Sequence, residues 1–379
     1  MNAPSAHRAW VEVDHAALVG NLGELRRLAG EDRSVVAVVK ANAYGHGAVP
    51  VARSLVRAGV ERLAVATVAE GQELRRAGID VPIVVLWGVG PAEARQALAA
   101  ELELTVTDER SVAIVESAVE AVGAGRAAVH LKVDTGLGRQ GVLPGEALTV
   151  AARIAGSGRL RLAGTYSHLA VPGEDVAYTD AQALRLATGI DGMRSAGIDP
   201  GIVHLAATGG ILAGLRVGDA IRPGLALYGL LPDWWDGQDV ELRPVLSLRA
   251  LPLRLFDVPA GDAIGYGLRF RAEQATRVAT LGIGYGDGWP RVHANNGWVL
   301  VRGQRAPIVG AVSMDGLTVD IGAIDGVTYD DEFVLIGAQA DDRIEVDEVA
   351  RQRRTINYEV TTALRGRLPR IHLAAADEE

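Results

Sequence analysis

The chain has 379 residues, 49% of them apolar and 22% charged, with a formal net charge of −9. At about 150 residues per domain this length predicts two or three domains, and the balance excludes a disordered, collagenous or coiled-coil chain. The absence of cysteine removes disulfide scaffolds, thiolate metal sites and thiol nucleophiles, and an acidic chain without a basic cluster offers no positive face to nucleic acid.

The first residues lack a basic flank followed by an apolar stretch, so no secretory signal is read and a cytoplasmic location is expected. Asp14 is a suitable cap for a helix with Leu18, Leu22, Leu25 and Leu28 on one face and Gly30 as its stop. Continuous apolar runs then recur at 35–39, 63–67, 83–87, 102–106, 128–133, 162–167, 202–205 and 225–228, with helical segments at 51–58, 68–77, 92–100, 111–119, 145–154 and 180–196. Alternation of this kind predicts a parallel sheet, and eight strands with both faces apolar predict a TIM-like (β/α)8 barrel over residues 1–235. The charge-poor stretch 200–215 is too short and too glycine-rich for a bilayer span, so no membrane segment is expected.

Beyond a linker-like segment at 231–237, whose Trp234 and Trp235 are candidates to dock two domains, the pattern changes. Strands are expected at 245–256, 277–283, 297–302, 306–312, 317–321 and 332–336, and helices at 346–352 and 358–365. Residues 236–379 therefore read as a mostly-β domain, and the fold class is α/β barrel plus C-terminal β domain.

The basic residues carry a sharper signal: 36 are arginine and only Lys40 and Lys132 are lysine. Arginine replaces lysine wherever only a positive charge is needed, but guanidinium cannot give up its proton, whereas an amine can become a nucleophile or a proton shuttle. Both lysines fall at predicted strand ends, where barrel chemistry belongs. His168, His204 and Arg222-Pro223-Gly224 fall at other strand ends, and Asp134, Gly136, Gly138 and Arg139 follow Lys132. No cluster with metal-ligand spacing is read.

Val39-Lys40-Ala41-Asn42-Ala43-Tyr44-Gly45-His46-Gly47 resembles the pyridoxal-phosphate attachment motif of the alanine racemase family. The likeness continues through Lys132-Val133-Asp134-Thr135-Gly136-Leu137-Gly138-Arg139, Arg222-Pro223-Gly224, Gly265-Tyr266-Gly267, Ile283-Gly284-Tyr285-Gly286-Asp287-Gly288, Met314-Asp315 and Thr355-Ile356-Asn357-Tyr358-Glu359, in family order. The resemblance implies racemisation of L-alanine and D-alanine by two bases, pyridoxal 5'-phosphate as cofactor, supply of D-alanine for peptidoglycan, and a homodimer with shared sites.

By the same resemblance Lys40 holds the cofactor and serves one face of the substrate. Tyr266 serves the other face, with His168 modulating its phenol. Arg222 faces the pyridine nitrogen, while Tyr44, Thr208, Gly224 with Leu225, and Tyr358 hold the phosphate. Arg139 takes the substrate carboxylate, Met314 lies near the substrate, and Tyr285 and Tyr358 line the entrance. Lys132 matches a lysine that is commonly carbamylated; the plainer alternative is an ammonium paired with Asp134, and for Met314 it is core filling. Ala207-Thr208 stands where Asn-Ser is frequent, and Ser313 where cysteine is frequent. A decarboxylase is disfavoured by Arg139 and a cofactor carrier by the β domain, while a broad-specificity or serine racemase shares every one of these residues.

Overall fold

The computed structural model describes residues 7–237 and 239–373. Eight parallel strands close into a barrel in chain order: Ser34–Val38, Arg62–Val65, Ile83–Val85, Glu103–Val106, Ala127–Lys132, Leu160–Tyr166, Ile202–Ala207 and Ala220–Arg222. The ring shuts where Ser34 and Val35 pair with Ala220 and Ile221. The strand residues are buried on both faces because helices cover the outside, which is why they read as unbroken apolar runs.

The helix His15–Ala29 starts on the Asp14 carboxylate, which accepts from Ala17 N at 2.8 Å, and stops at Gly30 with φ of 100°. Its Leu18, Leu22 and Leu25 are fully buried, a contribution of about 1.5–3 kcal/mol each. Its buried Asn21 donates to Leu227 O and Arg243 O and accepts from Arg243 N. One side chain thus anchors both ends of the segment between barrel and second domain.

The eighth strand differs from expectation. Leu225–Tyr228 is a short 3-10 helix, and the strand is Ala220–Arg222, just before Pro223. Three residues suffice because a proline cannot donate to the ladder and ends it.

The second body is a ten-stranded sheet built mainly from antiparallel strands, running Pro252–Val258, Thr276–Leu281, Leu317–Asp320, Gln304–Val309, Trp298–Val301, Phe333–Gln339 and Leu246–Ala250. The expected strand 245–256 is in fact two, interrupted at Leu251, so that each half joins a different neighbour. Beyond Leu246–Ala250 comes Ala9–Asp14, paired antiparallel to it and parallel to Arg370–Leu373. Sequence reading placed residues 1–235 in the barrel, yet this N-terminal strand lies in the second sheet and is flanked by segments from far along the chain. Trp234 of the linker packs on Gly173 and Gly209, where an added Cβ would meet the indole at 2.3 and 3.2 Å. Among the described residues no helix is long and apolar enough to cross a membrane.

Candidate active site

A cavity of about 300 Å³ opens at the C-terminal ends of the barrel strands. Lys40 enters it two residues after the first strand, Lys132 and Arg222 are the last residues of the fifth and eighth, and His168 and Thr208 follow the sixth and seventh. Arg139, Tyr44, Gly224, Leu225 and Tyr358 complete the set foreseen from the sequence, and Trp87, Gln140, Tyr166 and Trp234 join it unforeseen.

Lys40 is presented by an unusual backbone. Ala41, Asn42, Ala43 and Tyr44 all have φ between 52° and 56°, a left-handed turn that costs L-residues roughly 1–2 kcal/mol each. Neighbours hold it in place: Glu70 accepts from Ala41 N at 2.6 Å, Asn42 Oδ1 from Ala48 N at 2.8 Å, and Ala43 O from His46 Nδ1 at 2.9 Å. At Gly45 a Cβ would sit 2.1 Å from Thr361 O, so only glycine lets the helix Asn357–Thr362, carrying Tyr358, approach this turn.

Four cations, Lys40, Lys132, Arg139 and Arg222, line the cavity, and the lining carboxylate, Glu174, is exposed. Burial lowers the Lys40 amine, with Arg139 and Arg222 adding to the shift. The same causes bring Lys132 down to about 7. Asp134 is no ion-pair partner for Lys132: its carboxylate accepts from the backbone N–H of Gly136, Gly138 and Arg139, fixing the turn that presents Arg139. No salt bridge joins the two side chains, although the Asp134 charge works against the lowering of the Lys132 amine. Above the cavity the Arg139 guanidinium lies 5.1 Å from the centre of the Trp87 ring, a cation–π contact that steadies its fork.

Lys132 makes stability pH-dependent in carbon-dioxide-free buffer. Its amine titrates near 7 in the fold and near 10.5 as a free side chain. Between those values the unfolded chain binds more protons, so stability rises with pH. Lys132→Met is expected to flatten that rise in a urea-unfolding series; an unchanged slope would assign it to other groups.

Arg222 is held from three sides. It donates through Nη1 to His204 Nδ1 at 2.7 Å, and through Nη2 to Ser167 O and His168 Nδ1, both at 2.9 Å. Burial, then the Arg222 charge, pushes both histidines well below their ordinary value, so both accept as neutral rings. Burial also lowers Arg222 to about 10, which leaves it charged at neutral pH.

At the far wall the Thr208 hydroxyl accepts from Gly224 N at 3.3 Å and Ala226 N at 3.2 Å, leaving its own O–H to donate. The first turn of the helix Thr208–Leu212 has N–H groups with no partner within the helix. The Tyr44 phenol closes over Gly224, where a Cβ would meet its oxygen at 2.6 Å, and the Tyr358 ring stands 6.1 Å from that of Tyr44.

His204, expected at a strand end, is instead mid-strand, wholly buried and behind Arg222 rather than in the lining. Three further foreseen residues are absent from this cavity. Tyr266, Met314 and Tyr285 are 76%, 52% and 37% exposed and lie on the second domain. The loops of Tyr285 and Met314 are tied together: Tyr285 N donates to Ser313 O and Gly286 N to Met314 O, while Arg367 bridges buried Asp287 and exposed Asp315. Met314 is accordingly not core filling.

Comparison with known proteins places these features in a family. The family model described as alanine racemase, N-terminal domain, matches residues 13–232, and the one for the C-terminal domain matches residues 245–372. An alanine racemase of Halothermothrix orenii is 38% identical, with 98% of each chain covered. Among solved structures, alanine racemase from Bacillus anthracis with bound L-Ala-P superposes with a TM-score of 0.90 at 35% identity, over 98% of this chain and 96% of that one. The enzyme from Bartonella henselae with covalently bound pyridoxal phosphate gives 0.84 at 27% identity, over 97% of this chain and all of that one, 100%. With both family models matched in order along a chain that folds as a TIM-like barrel followed by a C-terminal β domain, the chain belongs to the alanine racemase family of isomerases.

Proposed function

We propose that this chain interconverts L-alanine and D-alanine with pyridoxal 5'-phosphate as its resident cofactor, and so supplies D-alanine for peptidoglycan. The observation that carries the reading is the basic lining of the cavity: two guanidiniums and two amines, Lys40, Lys132, Arg139 and Arg222, with no buried carboxylate among the lining residues. Such a lining suits a ligand pair carrying a phosphate and a carboxylate. The donor set fits in detail, with the Thr208 hydroxyl, the N–H groups at Gly209 and Gly210, and the phenols of Tyr44 and Tyr358 grouped at one wall, and the Lys40 amine at another.

Pyridoxal phosphate supplies an aldehyde for an amine and an electron-withdrawing ring that acidifies the Cα–H of an attached amino acid. The chain's own residues do the rest. Lys40 Nζ anchors the aldehyde end and, freed by its lowered affinity for protons, takes up or returns the proton on one face of Cα. Arg222, held by neutral acceptors, presents a permanently charged guanidinium to the ring nitrogen and cannot readily hand it a proton, which restrains charge delocalisation and the side reactions that accompany it. Arg139 receives the substrate carboxylate with a forked donor.

The partner subunit's Tyr266 holds the second proton at its phenol oxygen, in a homodimer whose second domain reaches the neighbouring barrel. Exposure of Tyr266, Tyr285 and Met314 on a single chain supports that arrangement. His168 accepts from Arg222 at Nδ1 and so carries its proton on Nε2, where it can stabilise that phenol as it ionises. Lys132, with a neutral amine fraction near pH 7, is the group expected to take up carbon dioxide as a carbamate beside Arg139.

Circular dichroism of alanine solutions tests the proposal. The cofactor-loaded protein is expected to bring L-alanine and D-alanine to the same racemic end point. Faster turnover of serine than alanine would instead select the broader-specificity enzyme on the same scaffold.

A further inference from the structure

A continuous line of hydrogen bonds runs inside the barrel from its mouth to its opposite end. Arg222 can only donate, so His204 Nδ1, 2.7 Å from Nη1, must accept, and neutral His204 carries its proton on Nε2. That nitrogen lies 3.3 Å from His130 Nδ1, which therefore accepts in turn. The His130 proton is left on Nε2, 2.9 Å from Glu103 Oε2. Glu103 is gripped by Arg62 through Nε at 2.8 Å and Nη2 at 3.4 Å. An imidazolium at His130 breaks the order, because its Nδ1–H would confront the N–H of His204. Burial depresses both rings, in keeping with two neutral imidazoles.

The fold makes room for this line. His130 and His204 sit mid-strand and are wholly buried, whereas Glu103 and Arg62 are the first residues of their strands, at the end remote from the cavity. Opposite His130 is Gly164, where a Cβ would stand 2.5 Å from Nδ1, and the strand register shifts between Val129 and His130. Tyr166 stacks flat on His204 with centroids 4.7 Å apart. Among the described residues the buried carboxylates are Glu103 and Asp287, and Asp287 belongs to the second domain.

We propose that Glu103 is a positioning residue for Arg222, acting through His130 and His204. A carboxylate that accepts from His130 Nε2–H makes His130 Nδ1 a stronger acceptor, which does the same to His204 Nδ1, so the anion at one end tightens the grip on the guanidinium at the other. The carboxylate also selects one proton arrangement. Without it His130 can carry its proton on Nδ1, the His204–His130 link is lost, and the His204 ring, one of the three acceptors that hold Arg222, has no fixed partner behind it. The proposal rests on the reading in which Arg222 faces the cofactor's ring nitrogen.

The test uses the cofactor-loaded enzyme and Glu103→Gln, with three readouts: the dissociation constant of pyridoxal 5'-phosphate, the split between kcat and KM for alanine, and nitrogen-15 histidine spectra reporting the tautomers. Cofactor affinity and kcat are each expected to fall about tenfold, in the range for lost outer hydrogen-bond partners. KM should stay within about twofold, since Arg139 is not on the line. Spectra should show Nε2–H forms of His130 and His204 giving way to a mixture at His130. Arg62→Gln, which leaves the carboxylate present but unclamped, is expected to move the same readouts in the same direction and serves if Glu103→Gln fails to fold. A lowered melting temperature with affinity, kcat and tautomers unchanged would overturn the proposal. A wild-type protein that binds no pyridoxal phosphate would defeat the functional reading instead, and the tautomer pattern would still decide whether Glu103 orders the line.

Discussion

Lys40→Ala is expected to abolish alanine racemisation, with a loss of about 10³-fold or more in both directions, because one residue both anchors the cofactor and moves a proton. Borohydride reduction of the loaded wild-type enzyme should fix the cofactor on a single peptide containing Lys40, and the variant should yield none. Lys40→Arg sharpens the test, since it keeps the charge while removing the capacity to deprotonate, and it should be as inactive as the alanine variant. Covalent label on Lys132, or full activity in Lys40→Arg, would remove Lys40 from the mechanism.

The second large effect concerns Tyr266, which is 76% exposed on the single chain and far from any role unless another subunit receives it. Tyr266→Phe is expected to abolish racemisation while leaving cofactor capture at Lys40 intact. Exchange of the Cα proton for deuterium should persist in D-alanine, whose Cα proton the family resemblance gives to Lys40, and disappear in L-alanine. Mixed with Lys40→Ala under conditions of subunit exchange, the two inactive proteins should recover about one quarter of the wild-type rate per chain. That figure follows because half the dimers are mixed and each mixed dimer has one intact site of two. Proven exchange without recovery would mean that each subunit supplies both bases to itself.

The barrel was legible in the sequence because parallel strands covered on both faces appear as unbroken Val, Ile and Leu runs. The reading slipped where that rule weakens. Ala220–Arg222 is too short to stand out, and the apolar Leu225–Leu227 next to it is buried for another reason, as part of a 3-10 turn whose Tyr228 packs against Tyr44. Ala9–Asp14 does alternate, with Val11 and Val13 buried and Glu12 and Asp14 less so, but its partners lie more than 230 residues away and no local pattern names them.

The cavity was legible for a chemical reason: in a chain of arginines, the positions that keep lysine are those that need an amine. His168 could be found by its place at a strand end, whereas Arg222 and Thr208 were reached through the family resemblance. Glu103 and His130 could not, since an acid at the start of a strand looks like a surface charge and a histidine within an apolar run looks like core. Their meaning depends on Gly164 and on a register shift that only the assembled barrel reveals.

The placement of Ala9–Asp14 between Leu246–Ala250 and Arg370–Leu373 also dictates an order of events during synthesis. This strand is made before both of its neighbours, which follow it by more than 230 and more than 350 residues. At about 5–20 residues per second it waits on the order of tens of seconds with its edges unpaired. The barrel can close in that interval from segments already made. The sheet cannot, so Arg370–Leu373 completes a structure begun by Ala9–Asp14, and a ribosome stalled before Arg370 would leave a chain with an open, aggregation-prone edge along Ala9–Asp14.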